Sequence, residues 1–429
     1  MGHIGISAYL DGRYELAGKT LALAAATWET RWIQAKLALQ KGDRDQAARW
    51  MADALRLIPQ SSRSTVISIT ESRPSDYDMG LLHEGDFSGV SVAKLDTGLR
   101  HSRFFADCGA VLLSRADFAG ALKLFMDAQC PHDAAYVAEH LMTADELITF
   151  LRKQSLQPIP EILPSGKEND VQNWSHEHDN RTENIQNRVL YVIARRLARE
   201  FYFNDARPYY PPAMLPYFDR FVSLYRRGQS DAVSREVRAR CLMEAARLHR
   251  WMGMELFGAE GEPDGAMWDG DYSPDHLTLM RRSQFRGLEG EWDWTGEKSV
   301  WKEQKPKEPF PLRPSAEEIS RMKKNMLWGR PRFHYRAVAV QMAREASNLL
   351  PRESEESAMM LAEGGCWVRP VEDGIDPMFE ELISRFAKTK FAQEADARRW
   401  YPDEFRSRVF NWSAEASLKQ PIPGDKSAD

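Results

Sequence analysis

The densest grouping of ionisable side chains in the chain is Ser175-His176-Glu177-His178-Asp179. Two imidazoles at alternate positions would share one face of an extended segment and, with the flanking carboxylates, offer nitrogen and oxygen ligands to a transition metal. Their spacing is not the i, i+4 separation that sets two histidines on one helix face in a zinc-protease motif. The group also lies in a polar run, where a solvated loop is the better reading, so no metal or cofactor is assigned.

A second concentration of chemistry lies further on. Trp268-Asp269-Gly270-Asp271-Tyr272, preceded by Asp264, is rich in oxygen but lacks the D-x-D-x-D-G order and distal bidentate glutamate of a calcium loop. Glu289, Glu291 and Asp293 then interleave with Trp292, Trp294 and Trp301. Indole faces stack on sugar rings and carboxylates accept hydrogen bonds from sugar hydroxyls, and a pair of carboxylates is also what a glycosidase requires. The candidate ligand-binding residues are therefore Trp268, Asp269, Asp271, Trp292, Trp294 and Trp301, and a glycan is their implied ligand. The preferred reading is that these tryptophans anchor a long insertion through their large apolar area. No catalytic residue is assigned, because no nucleophile elbow, P-loop, dinucleotide fingerprint or serine-triad spacing occurs. Cys108, Cys130, Cys241 and Cys366 are far apart and form no CxxC, so neither zinc nor a redox pair is signalled.

What must position such groups is read from internal repetition. Ile33 to Pro59 reads as helix, Gly-Asp turn, helix and stop: Ala35 lies in the first helix, Gly42 in the turn, Ala47 and Ala54 in the second helix, and Pro59 closes it. Upstream, Gly5, Gly12, Ala17 and Ala24 fall in the same phase. A third set follows, with Gly109 in the first helix, Ala116-Asp117-Phe118 at the turn, and Ala121, Phe125 and Ala128 in the second. The offset from Gly109 to Ala121 equals that from Ala35 to Ala47. A capping box at Thr143-x-x-Glu146 opens a further helix, and Arg188 to Pro212 fits the spacing again, with Ala194 and Ala206 at the small-residue positions.

In this pattern the chain resembles the tetratricopeptide-repeat proteins, in which small residues sit where paired helices approach most closely. In phrases such as Asp133 to Leu147 and Ala194 to Pro212 it is also similar to bacterial proteins that combine degenerate repeats of this type and are often exported. The resemblance implies an all-α fold, a TPR-like array of helical hairpins (an α-solenoid) with a long irregular insertion, whose stacked hairpins present a curved surface to a protein partner.

The expected organisation is N-terminal repeats over 1–155, a Pro-rich polar linker over 156–183, middle hairpins over 184–258, and the Trp/Gly/Asp/Pro-rich insertion over 259–329. C-terminal helical repeats over 330–404 and a polar tail over 405–429, with disorder expected from Ser413 to Asp429, complete it. The basic run Arg195, Arg196 and Arg199 alternates with apolar residues and is expected to be the solvated face of an amphipathic helix.

Composition is close to that of ordinary soluble globular proteins. Hydrophobic residues make 43% and charged residues 28% of the chain, which argues against both wholesale disorder and a membrane bundle. A net charge of -5 gives no whole-chain attraction to phosphate backbones, so nucleic acid is a poor partner. The expected function is a non-catalytic scaffold, or a subunit of a larger assembly, that binds a protein or peptide. The alternative is an exported glycan-binding or carbohydrate-active protein. No transmembrane segment is expected, and a removed signal segment would place the chain in the periplasm or outside the cell.

Overall fold

The computed structural model describes residues 1–59, 92–154, 156, 185–258, 289–293, 300–304, 312, 314–325, 335–367 and 377–425. In chain order the helices begin with α1 (Gly2–Leu10), α2 (Tyr14–Ala22), α3 (Trp28–Gln40), α4 (Arg44–Leu57), α5 (Val92–Ser114) and α6 (Phe118–Asp127). α7 (Pro131–Tyr136) runs into a π-turn, Val137–Leu141, and is followed by α8 (Ala144–Gln154), α9 (Ile185–Arg199), α10 (Phe203–Ala206), α11 (Leu215–Gln229), α12 (Arg235–Trp251) and α13 (Gly253–Leu256). After an antiparallel ribbon of β1 (Glu289–Asp293) and β2 (Val300–Gln304) come α14 (Ala316–Asn325), α15 (Tyr335–Leu349), α16 (Glu355–Cys366) and α17 (Pro377–Arg385). α18 (Lys390–Arg398), α19 (Asp403–Phe410) and α20 (Ala414–Leu418) complete the order. The protein is an all-α array of packed helices, and the ribbon is its sole sheet among the described residues.

The helices fall into two compact units, the first holding residues 1–156, 176–192 and 273–326 and the second 157–175, 193–272 and 327–429. In the first unit the hairpins arise from a repeated local code. The backbone amides of Arg13, Asp43 and Asp117 reach back to Ala8, Ala38 and Leu112 at 2.8, 2.9 and 3.0 Å, closing the same helix-ending motif three times. Each requires a left-handed residue just before, and Gly12, Gly42 and Ala116 supply it with φ of 74°, 77° and 61°. The aspartate that follows the turn then caps the next helix: Asp43 accepts from the Gln46 amide and Asp117 from the Gly120 amide, both at 2.9 Å. Thr27 and Thr30 cap α3 reciprocally.

Small residues set how closely the paired helices approach. Ala17, Ala35, Ala47, Ala54, Ala121 and Ala128 are all fully buried. A Cβ on Gly5 would stand 2.6 Å from Leu21, and one on Gly109 2.8 Å from the Phe125 ring. Around them, Trp32, Met51, Phe104, Phe105 and Leu124 form the core between α3, α4, α5 and α6. The capping box opening α8 is formed, Thr143 donating its amide to Glu146 at 2.8 Å and accepting from the Glu146 amide at 3.3 Å.

The insertion is not wholly irregular: besides the ribbon it carries α14, which docks on the π-turn. Tyr136 donates to Glu318 at 3.0 Å, Asn325 to the His140 carbonyl at 2.9 Å, and Arg321 reaches both the Leu141 carbonyl at 2.9 Å and Glu146 at 2.6 Å.

The second unit is built on α12, which packs along α11 on one side and α15 on the other, while α16 packs on α15. His249 of α12 is buried, donates from Nδ1 to the Tyr335 carbonyl at 3.0 Å and stacks on Phe257 at 4.1 Å between ring centroids. Three expectations are corrected here. Arg195 and Arg196 are 3% and 4% exposed and do not form a solvated face; at that burial their guanidinium groups are enclosed along with their stems, and Arg196 reaches Glu200 at 3.2 Å. Ala194 and Ala206 are buried as the spacing demands, yet the helix expected to end at Pro211-Pro212 is only the single turn α10 followed by 3-10 turns, because Pro208, Pro211 and Pro212 withhold amide donors. Finally, the stretch from Ser413 through residue 425 is not a disordered tail: α20 forms there after α19, and its Ser413 cap accepts from the Ala416 amide at 3.2 Å.

Candidate functional site

The candidate site is a cleft of about 460 Å³ in the second unit, within the size range of ligand pockets. Its floor comes from two helices that do not follow one another in sequence. α12 contributes Arg240, Met243, Glu244 and Arg247, and α16 contributes Glu356, Met359, Met360 and Glu363. Because α15 packs against both helices, their charged faces come level. Arg240 forks onto Glu356 at 2.8 and 3.2 Å, and Arg247 forks onto Glu363 at 2.7 Å through both nitrogens. In each helix the two partners are seven residues apart, two helical turns, so the pairs form parallel rungs about 10 Å apart.

The rungs differ in depth. The Arg240 and Glu356 side chains are 57% and 40% exposed, a rim pair of small energetic weight. Those of Arg247 and Glu363 are 27% and 8% exposed. Burial pulls the Arg247 guanidinium down, but hydrogen bonds to Glu363 and Glu244 outweigh it and hold the group above the ordinary arginine value. The Arg240 guanidinium is likewise raised, by its bond to Glu356.

Beyond the rungs, the cleft keeps binding capacity unspent. Glu244 Oε2 and Arg220 Nε, the latter from α11, are buried without a hydrogen-bond partner. At the mouth, Arg408 of α19 lies over the Phe405 ring at 5.3 Å, with no carboxylate on it among the described residues. Arginines outnumber glutamates four to three around the lining, and the methionines give it an adaptable apolar component. Such a surface can hold a backbone or carboxylate by charge-assisted bonds while apolar side chains fill the space between the rungs.

The residues singled out from sequence have other fates. Trp292 and Trp301 are directly opposed partners in the ribbon, with Glu291 opposite Lys302 and Asp293 opposite Val300. Trp268, Asp269, Asp271 and Trp294 lie outside the described residues, as does Ser175 to Asp179. The repeat-packing residues Ala35, Gly42, Ala47, Ala54, Gly109, Ala121, Phe125, Ala128, Ala194 and Ala206 occupy helix contacts or turns, and Pro59 follows the end of α4. None of them reaches the cleft. No group of three or more His, Cys, Asp or Glu among the described residues is arranged to hold a metal ion. Likewise among them, no helix is long and apolar enough to cross a membrane.

The cleft residues escape sequence reasoning because each reads, in its own helix, as a charged side chain facing solvent. The available signal was the matched spacing of Arg240 with Arg247 and of Glu356 with Glu363. No family model matches the chain, and no curated protein is significantly similar to it.

Proposed function

We propose that the chain is a non-catalytic interaction scaffold, built from TPR-like hairpins, whose second-unit cleft receives a segment of a protein partner. The TPR-like reading is supported by the shared phase of three hairpins, in which residues 5, 35 and 109 are each small and face a large residue sixteen positions on: Leu21, Met51 and Phe125. The observation that carries the binding reading is the cleft between the Arg–Glu rungs, where Arg220 Nε and Glu244 Oε2 are buried without a partner and Arg408 has an open guanidinium.

The test is affinity purification from the native source with wild type, Arg408→Glu and a control, Lys19→Glu, on an exposed face of the first unit. A stoichiometric companion that survives the control and falls at least tenfold with Arg408→Glu is expected. A companion that is unaffected by Arg408→Glu but lost when Trp292 and Trp301 are both replaced by alanine overturns the cleft reading in favour of the insertion.

A further inference from the structure

One wall of the cleft is made by the chain itself. After α20 the segment Gln420–Asp425 returns across α11 and α12, and Gln420, Pro421 and Pro423 line the cleft. Its attachment is made chiefly through its backbone. Arg220 donates to the Gln420 carbonyl at 2.7 Å and to the Pro421 carbonyl at 3.4 Å, and the Cys241 thiol to the Pro423 carbonyl at 3.7 Å. Ile422-Pro423-Gly424-Asp425 then forms a tight turn: the Asp425 amide donates to the Ile422 carbonyl at 2.9 Å, with proline second and Gly424 third at φ 86°, the signature of a type II turn. The turn presents Asp425 to Arg227 of α11 at 2.5 Å.

Three features mark this as the seating of a ligand and not of a core element. Carbonyl capture by side-chain donors plus one terminal ion pair is how grooves read an irregular peptide. The seat is tight at one point, since a Cβ on Gly424 would lie 2.9 Å from both Val237 and Arg227. Yet the stretch from Ser413 to Asp425 buries only Ala414 and Ser417, so little apolar area holds it down. Specific polar contacts with slight burial describe an interaction able to exchange.

We propose that Gln420–Asp425 is an intramolecular occupant of the partner-binding face. The partner segment that the face accepts is a peptide of the same chemistry: proline at alternate positions, a Pro-Gly turn and a carboxylate directly after it. This rests on the cleft reading above and names both its ligand class and its regulation. The bound segment and the incoming peptide compete for Arg220 and Arg227, so apparent affinity in trans is reduced by the fraction of time that the seat is filled.

The experiment uses the full chain and a fluorescently labelled synthetic peptide of residues 418–425, Leu-Lys-Gln-Pro-Ile-Pro-Gly-Asp. The release variant is Gly424→Val, which alters only the segment and leaves α11 and α12 untouched. By fluorescence anisotropy, Gly424→Val is expected to bind the peptide at least tenfold more tightly than wild type. Adding Arg227→Glu is expected to abolish that binding, and a peptide carrying lysine in place of the aspartate to restore it. Amide exchange at residues 422, 424 and 425 is expected to rise at least tenfold in Gly424→Val, which reports release independently of peptide binding. Equal peptide binding by wild type and Gly424→Val, or none by either once exchange shows release, overturns the proposal. If the Arg408-dependent companion is still recovered in that case, the segment is a fixed wall and the cleft reading stands; if the companion is also indifferent to Arg408, the cleft reading falls with it.

Discussion

The seam between α5 and α6 and the seam between α12 and α16 solve the same problem in opposite ways. At the first, Gly109 and Ala121 remove side-chain bulk so that Phe125 lies against backbone, leaving no space and no charge. At the second, arginine and glutamate reach across from helices that are not direct neighbours, and the space between their rungs remains open. Close approach makes a rigid dry contact; long ionic bridges make a propped cleft. The difference lets a helical array be closed along one stretch and open along another without a change of fold class.

The sharpest way to break that comparison is to remove one end of the deep rung. Arg247→Met would leave the carboxylate of Glu363, 8% exposed, without its bidentate partner. A buried charge stripped of its partner costs about 3–5 kcal/mol. Replacing both groups, Arg247→Met with Glu363→Leu, is expected to recover most of this loss. Because a chain of two units need not unfold in one step, the readout is amide exchange resolved to α12, α15 and α16. The comparison fails if Arg247→Met protects those helices as well as wild type.

Acid should likewise separate the two regions. Burial pulls the His249 imidazole from 6.5 down to about 4, against weaker support from the Tyr335 carbonyl, so the folded chain holds it neutral. The unfolded chain takes up the proton near pH 6.5, the folded one only near pH 4; stability is therefore whole above pH 6.5 and is lost as pH falls toward 4. At about 1.4 kcal/mol per unit the loss approaches ~3 kcal/mol. His249→Gln is expected to remove this part of the slope in denaturant titrations at pH 7.5, 6 and 4.5. Exchange in α6, whose residues Phe118–Asp127 include no histidine, should not follow the same curve.

How much of this was legible in sequence depends on what a position demands locally. Ala35, Ala47, Gly109 and Ala121 were readable because only small residues fit where helices touch, and Gly42-Asp43 because a left-handed turn followed by a cap has a fixed chemical signature. Thr143 and Glu146 were readable for the same reason. The cleft was not, since Arg240 and Glu356 become partners only after α15 has aligned α12 with α16, and that registration leaves no local mark. Arg195 and Arg196 misled because an arginine counts as solvent-facing in a helical pattern, whereas a paired one can be enclosed whole, as Arg196 is beside Glu200. The segment after α20 misled through composition: lysine, proline, glycine and serine suggest an unattached tail, while its carbonyls and its turn secure it to α11 and α12.

A smaller effect sharpens the dry side of the comparison. Gly109→Leu forces side-chain atoms where even a Cβ would be 2.8 Å from the Phe125 ring. Overpacking of this kind costs about 1–3 kcal/mol after the helix accommodates what it can. A smaller addition of bulk at the propped seam, Met359→Phe, has open cleft volume to enter and is expected to change stability by less than about 1 kcal/mol. Denaturation midpoints of the two variants, each followed by exchange in its own unit, give the ratio directly; equal losses would remove the distinction between the seams.

The smallest expected change is a gain. Ala116 occupies the turn position that Gly42 fills in the preceding hairpin, with the same left-handed backbone, φ 61° against 77°. The motif around both is alike: the next residue is an aspartate that caps the following helix, and its amide returns to the carbonyl five positions back. Alanine bears the steric cost of a left-handed residue, roughly 1–2 kcal/mol, which glycine does not. Glycine in turn gives the unfolded chain more freedom, worth about 0.4–1 kcal/mol. Ala116→Gly is therefore expected to stabilise the first unit by about 0.5–1 kcal/mol, and Gly42→Ala to destabilise it by a similar amount. Equal and opposite shifts in the exchange protection of α3 to α6 would show that the two turns are interchangeable parts of one repeated hairpin. A loss of protection in Ala116→Gly would show that Ala116 contributes a contact of its own, and that the hairpins share a phase without sharing a turn.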